Sequence, residues 1–77
     1  MSAVARKIGA EIEKVENERA RANMAIRDWG ISLENAITKD DEDMAVRMIE
    51  AYKRDLVAAE GLLPGLNLAL AIANKEA

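Results

Sequence analysis

The sequence predicts an all-α protein: a small helical bundle, or a hairpin of two long antiparallel helices with one or two short helices added, completed by oligomerisation. Three observations lead there. First, 51% of the 77 residues are hydrophobic, but alanine supplies fifteen of them and Trp29 and Tyr52 are the only aromatics. Alanine, leucine, glutamate, lysine and arginine favour helix, and the β-branched and aromatic residues that favour strands are sparse. Second, apolar residues recur at steps of three and four, the period of one helical face. Third, Gly61 to Asn74 contains no charge in a chain that is 32% charged. So apolar a segment has to be covered, and a chain this short buries little surface by itself. A second copy is the expected cover.

Ser2 is placed to cap a first helix over residues 2–29, whose apolar face is Val4, Ile8, Ile12, Val15, Ala22, Ile26 and Trp29. Gly30 is the residue type most often found just past a helix end. Gly9, inside the helix, costs roughly 1 kcal/mol relative to alanine, which suggests either a close backbone or a tolerated exposed glycine. From Glu16 to Arg21 the stripe carries no large apolar side chain, and Arg19 stands where one is expected. This reads as a solvated stretch of helix, with Arg19 and Arg21 as a basic patch in the functional reading.

A short segment over 32–38 follows, with Leu33, Ala36 and Ile37 on one face. The run from Thr38 to Asp43 favours a break there over one continuous helix from Ser32, because threonine and aspartate are poor inside helices and favoured as caps and in first turns. The next helix is expected over 40–60, with Ala45, Met48, Ile49, Tyr52, Leu56, Ala59 and Leu63 on its inner face. Met24, Met44 and Met48 read as flexible core filler. Gly61 and Pro64-Gly65 are expected to end that helix and turn the chain into a last one over 65–75. That final helix is apolar on nearly all sides and is therefore expected to be buried on nearly all sides. The whole is a single domain, 1–77.

Function classes narrow by subtraction. With no cysteine or histidine, disulfides, thiolate chemistry and the commonest transition-metal ligand are gone. The acidic run Asp40, Asp41, Glu42 and Asp43 lacks the glycine and the downstream glutamate of an EF-hand loop. Ser2, Ser32 and Thr38 read as helix caps, so no catalysis, metal or cofactor is expected. Net charge is -3, and the basic residues of the first helix are interleaved with glutamates, so nucleic acid is not an expected partner. No apolar run of signal-peptide length opens the chain, and fourteen uncharged residues broken by Pro64 fall short of the roughly 20 a membrane span needs. A cytoplasmic location without membrane contact is the resulting expectation.

The reading that remains is a non-catalytic protein-interaction module, a small adaptor, co-chaperone or inhibitor acting through helix faces on another protein. Ile8, Val15, Trp29, Leu63, Leu66 and Leu70 are its expected oligomer or partner interface. Two alternatives stand beside it. One is an acidic inhibitor that places Asp40, Asp41, Glu42 and Asp43 in a basic nucleic-acid-binding groove of a target. The other is a helical binder of nucleic acid or a small anionic ligand through Arg19 and Arg21.

Overall fold

A computed structural model describes residues 2–76, so the two ends of the expected 1–77 domain lie outside it. Two helices, α1 (Ala3–Glu34) and α2 (Lys39–Glu76), fold back on each other as a hairpin, with no strand among the described residues. The hairpin is a rod of 58 × 15 × 13 Å.

Local chemistry fixes where each helix starts. The Ser2 hydroxyl accepts a hydrogen bond from the Ala5 amide at 3.0 Å, and its carbonyl accepts from Arg6 at 3.1 Å. Thr38 does the same for α2, its Oγ1 accepting from the Asp41 amide at 3.2 Å and its carbonyl from Glu42 at 3.1 Å. Asp40, Asp41 and Glu42 then occupy the first turn, where the positive end of the helix dipole favours them. The break at Thr38 therefore exists, and the acidic run is a helix start.

What joins the helices is a seam. In α1 the covered or partly covered positions include Ala5, Ile8, Ile12, Val15, Ala22, Ile26, Trp29 and Leu33; in α2 they include Ala45, Ile49, Tyr52, Leu56, Ala59, Leu63, Leu66, Leu70 and Ala73. With Arg19 supplying the one missing place in α1, both series step alternately by three and four, the spacing of a coiled-coil seam. Ile12 and Val15 form a buried cluster with Ala59 and Leu63, flanked by Ile8, Leu66 and Leu70. Farther along, Ala22 shares a groove with Tyr52 and Ala59, and Trp29 a depression with Met44. The antiparallel register consistent with these neighbours sets Val15 across from Leu63 and Arg19 across from Ala59.

Three expected boundaries are corrected by that seam. α1 continues through Gly30 to Glu34, because the stripe has one more member, Leu33, to cover. The chain leaves the helix at Asn35, whose amide donates to the Ile31 carbonyl at 3.1 Å. The separate 32–38 helix therefore does not form: residues 32–34 belong to α1 and 35–38 are the turn, with Ile37 95% exposed at its tip. Likewise the helices expected at 40–60 and 65–75 are one, running through Gly61, Pro64 and Gly65.

Magnitudes explain the last correction. A proline inside a helix costs about 3 kcal/mol, whereas covering a leucine returns roughly 1.5–3 kcal/mol, and Leu63, Leu66 and Leu70 all reach α1 only if the helix continues in phase. Pro64 itself is exposed, so the Glu60 carbonyl that loses its donor faces water, and Gly61 puts no Cβ beside the ring.

Side-chain placement brings further corrections. Ala5, not Val4, is the first seam residue, and Val4 is exposed. Met24 and Met44 are exposed rather than core filler, and only Met48 is half-buried. A Cβ at Gly9 would meet nothing within 4 Å, so no backbone approaches there. Leu63→Ala is expected to destabilise the hairpin by about 2–5 kcal/mol. Pro64→Ala should stabilise it by about 1–3 kcal/mol, and thermal unfolding followed by circular dichroism reads both.

Candidate interaction surface

Beyond the seam, α2 is two different helices in one. Its first half carries Arg47, Glu50, Lys53, Arg54 and Asp55 toward water. After Asp55 the only charged residue before Lys75 is Glu60, and with Asn67 and Asn74 it recurs every seventh position, which places all three on a single narrow stripe. The seam occupies one side of this half-helix, the polar stripe borders it, and the remaining arc is apolar.

Most of that arc faces away from α1, while Ala58 and Leu62 at its edge line the groove with Glu18, Arg21 and Ala22 of α1. The arc holds Val57, Ala58, Gly61, Leu62, Pro64, Gly65, Leu68, Ala71 and Ile72, all exposed. Val57 retains 69% of its accessible surface, Leu68 64%, Leu62 55% and Ile72 50%. Monomers seldom leave more than a few hundred Å² of contiguous apolar surface open, and larger patches mark interaction sites. Beside Gly61 and Gly65 the surface is open, with nothing within 4 Å of where a Cβ would stand. The expectation that this segment is buried on nearly all sides is thus corrected: one side is buried and the opposite side is bare.

Of the six apolar residues expected at an interface, five meet inside the hairpin. Val15 and Leu63 are core, and Ile8, Leu66 and Leu70 pack against it. The other helix of the same chain covers Val15 and Leu63 and part of Ile8, Leu66 and Leu70. Trp29 is half-buried at the turn, lining a shallow depression with Ser32, Asn35, Ala36, Asp41 and Met44.

The charged candidates lie apart from one another. Arg19 is exposed along the seam edge. Arg21 lines a shallow groove together with the carboxylates Glu18 and Asp55. Asp40, Asp41, Glu42 and Asp43 are exposed at the start of α2, and among the described residues no three acidic side chains converge as a metal site would require.

The outward face was within reach of sequence reasoning. Once α2 is continuous, the sevenfold recurrence of Glu60, Asn67 and Asn74 shows that one stripe takes all the polarity and one seam cannot take all the rest. Continuity also removes the proline break on which the absence of a span was argued. α2 contains an 18-residue window long and apolar enough to cross a membrane by length and composition, 11% of it buried. The core helices of soluble proteins that pass that test are mostly buried, which this window is not, and Glu60 and Asn67 sit within the apolar half. Compared with models of protein families, with curated proteins and with solved structures, the chain matches none.

If the acidic run serves α2 as cap and first turn, its chemistry is local. Thr38→Ala should cost about 1 kcal/mol, and neutralising Asp41 and Glu42 about 0.3–1 kcal/mol each at low ionic strength. Urea titrations at low and high salt would show the second effect shrinking with salt and the first unchanged.

Proposed function

We propose that the chain is a non-catalytic protein-interaction module, a small adaptor, co-chaperone or inhibitor, acting through the outward apolar face of the C-terminal half of α2. One observation carries the reading. A rod with a thin core leaves its most apolar surface uncovered, with Leu68 and Val57 each about two-thirds exposed. Covering such side chains with a partner is favourable at roughly 25 cal/mol per Å². An amphipathic or apolar helix laid against a helix face is the matching mode of recognition.

The two charge-based alternatives have weaker support. Asp40, Asp41 and Glu42 already have a role at the helix start, and Arg21 has Glu18 and Asp55 beside it in the same groove. Salt separates the mechanisms, because exposed charge pairs are screened and apolar docking is not.

Immobilised wild-type chain and three variants, presented to a lysate of its source at low and high salt, test this. Capture through the proposed face should persist at about 0.5 M salt, where the screening length is only a few ångströms, and disappear in Leu68→Glu. It should survive both neutralisation of the four acidic residues at positions 40–43 and the pair Arg19→Gln/Arg21→Gln. Capture that Leu68→Glu leaves intact, or that salt abolishes, would overturn the reading.

A further inference from the structure

The turn end of the rod holds a second uncovered surface, separate from the outward face of α2. We propose that it docks a basic amphipathic helix of another protein, with Ile37 and Met44 as apolar anchors and the surrounding carboxylates as partners for lysine and arginine.

Apolar exposure at the turn has no role inside the hairpin. Ile37 is 95% exposed, more than any other large hydrophobic side chain among the described residues. Turn positions ordinarily take Gly, Pro, Asn, Asp or Ser, for backbone angles or side-chain hydrogen bonds that isoleucine does not supply. Thr38 beside it does the capping. Met44 keeps 48% of its surface and separates two shallow hollows. One, of about 420 Å³, is lined by Trp29, Ser32, Ala36 and Asp41. The other, of about 530 Å³, is lined by Asp40, Asp43, Val46 and Arg47. A flexible thioether between two hollows adapts to side chains of varied shape.

Charge is concentrated at the same end. From Glu34 to Asp43 five acidic residues stand against Lys39, a net charge of -4 in a chain whose total is -3, so the rest of the molecule is net positive. The helix start accounts for only part of this. Asp40, Asp41 and Glu42 lie in the first turn of α2, where the dipole favours them. Asp43 lies beyond that turn, and aspartate is a poor helix former. Glu34 ends α1, whose last turn has no basic residue, so its carboxylate sits at the negative end of a dipole that disfavours it. Both also add repulsion to an already acidic stretch, although local structure requires neither.

Together these properties specify the occupant. Apolar anchors ringed by carboxylates match a helix with large apolar residues on one side and Lys or Arg beside them. Its apolar residues cover Ile37 and Met44 and enter the hollow beside Trp29, and its cations meet Asp40, Asp41 and Asp43. Nucleic acid and anionic lipid carry phosphates, which the same carboxylates repel. The rod is 15 × 13 Å across, so a helix laid over its end meets it along about ten residues, or roughly three turns. A contact that short belongs to the weak, transient class of interfaces, with its association rate and specificity set by charge.

The probe that tests this is a synthetic peptide of about 14 residues, built from leucine and lysine in helical period and free of aromatics. Trp29 is the chain's one tryptophan and lines the hollow beside Met44, so its emission reports occupancy directly. Titration of the full chain at low salt should shift that emission and saturate in the micromolar range. Raising the salt to about 0.5 M should weaken binding by roughly tenfold or more. Ile37→Ser should weaken it by roughly tenfold with melting unchanged, since that side chain is bare. Glu34→Gln/Asp43→Asn should weaken it as much while melting slightly higher; a purely structural role for these carboxylates predicts the change in melting without the loss of binding. Glu13→Gln/Glu16→Gln removes the same charge from the middle of α1 and should leave affinity within about twofold. Amide spectra of the labelled chain should confine the perturbed residues to positions 29–47. Leu68→Glu should change nothing, so that this surface and the outward face can each fail without the other. An unchanged Trp29 emission, indifference to Ile37→Ser, an equal loss from the control pair in α1, or perturbations centred on 57–72 would overturn the proposal. So would equal binding of a peptide with glutamate in place of every lysine.

Discussion

Two helices share one seam, and everything else in this molecule follows from that limit. A bundle of three or four helices can enclose a side chain from several directions; a hairpin covers each helix on one side only. Val15 is accordingly the largest fully buried side chain among the described residues, and beside it the core holds only Ile12, Leu63 and the alanines Ala5, Ala22, Ala45 and Ala59. With so thin a core, stability depends on how many consecutive layers the two helices keep in phase. Phase accounts for the course of the chain. Gly30 does not end α1 because Leu33 still belongs to the stripe, and Pro64 does not end α2 because three leucines across from Ile8, Ile12 and Val15 need the helix to continue.

The same seam has a weak middle. Between Val15 and Ala22 its one position is Arg19, across from the small Ala59, so the apolar contact divides into two lobes. One, toward the chain ends, joins Ile8, Ile12 and Val15 to Leu63, Leu66 and Leu70. The other, toward the turn, rests on alanines with Ile26, Trp29, Tyr52 and Leu56 half-buried around them. Local opening follows the density of buried apolar contacts, which makes the turn lobe, with its bare Ile37 and Met44, the less protected half. The end lobe holds α2 firmly where its outward face is most apolar, so that face is presented on a rigid element.

Much of this is readable from residue order. The helical composition, the two long apolar stripes, the cap at Ser2 and the break at Thr38 all follow from local chemistry, because each depends on neighbours within a turn of helix. The misread boundaries share one physical origin. Gly30, Gly61, Pro64 and Gly65 read as stops on the strength of propensities of about 1–3 kcal/mol, and the cumulative burial of seam leucines exceeds those. That sum is a property of two helices together and is invisible in either alone. The packing of the interface candidates has the same cause: Leu63, Leu66 and Leu70 lie on the seam, where the first helix buries Leu63 and part of the other two. What remains for a partner is the residue set the seam cannot reach.

Propensity, outweighed where it opposed the seam, still carries information on the outward side. There no packing within the chain compensates for a glycine or a proline, so each lowers stability with nothing in the hairpin returned. A sequence required only to form this hairpin would place alanine, glutamate or lysine at positions 61, 64 and 65, as it places charged residues on the outer side of α1 and of the first half of α2. Instead it carries two open glycines and a proline, flanked by Val57, Leu62, Leu68 and Ile72, and confines polarity to Glu60, Asn67 and Asn74. Solubility and helix stability both argue against such a surface, and the proposed contact with a partner would account for it.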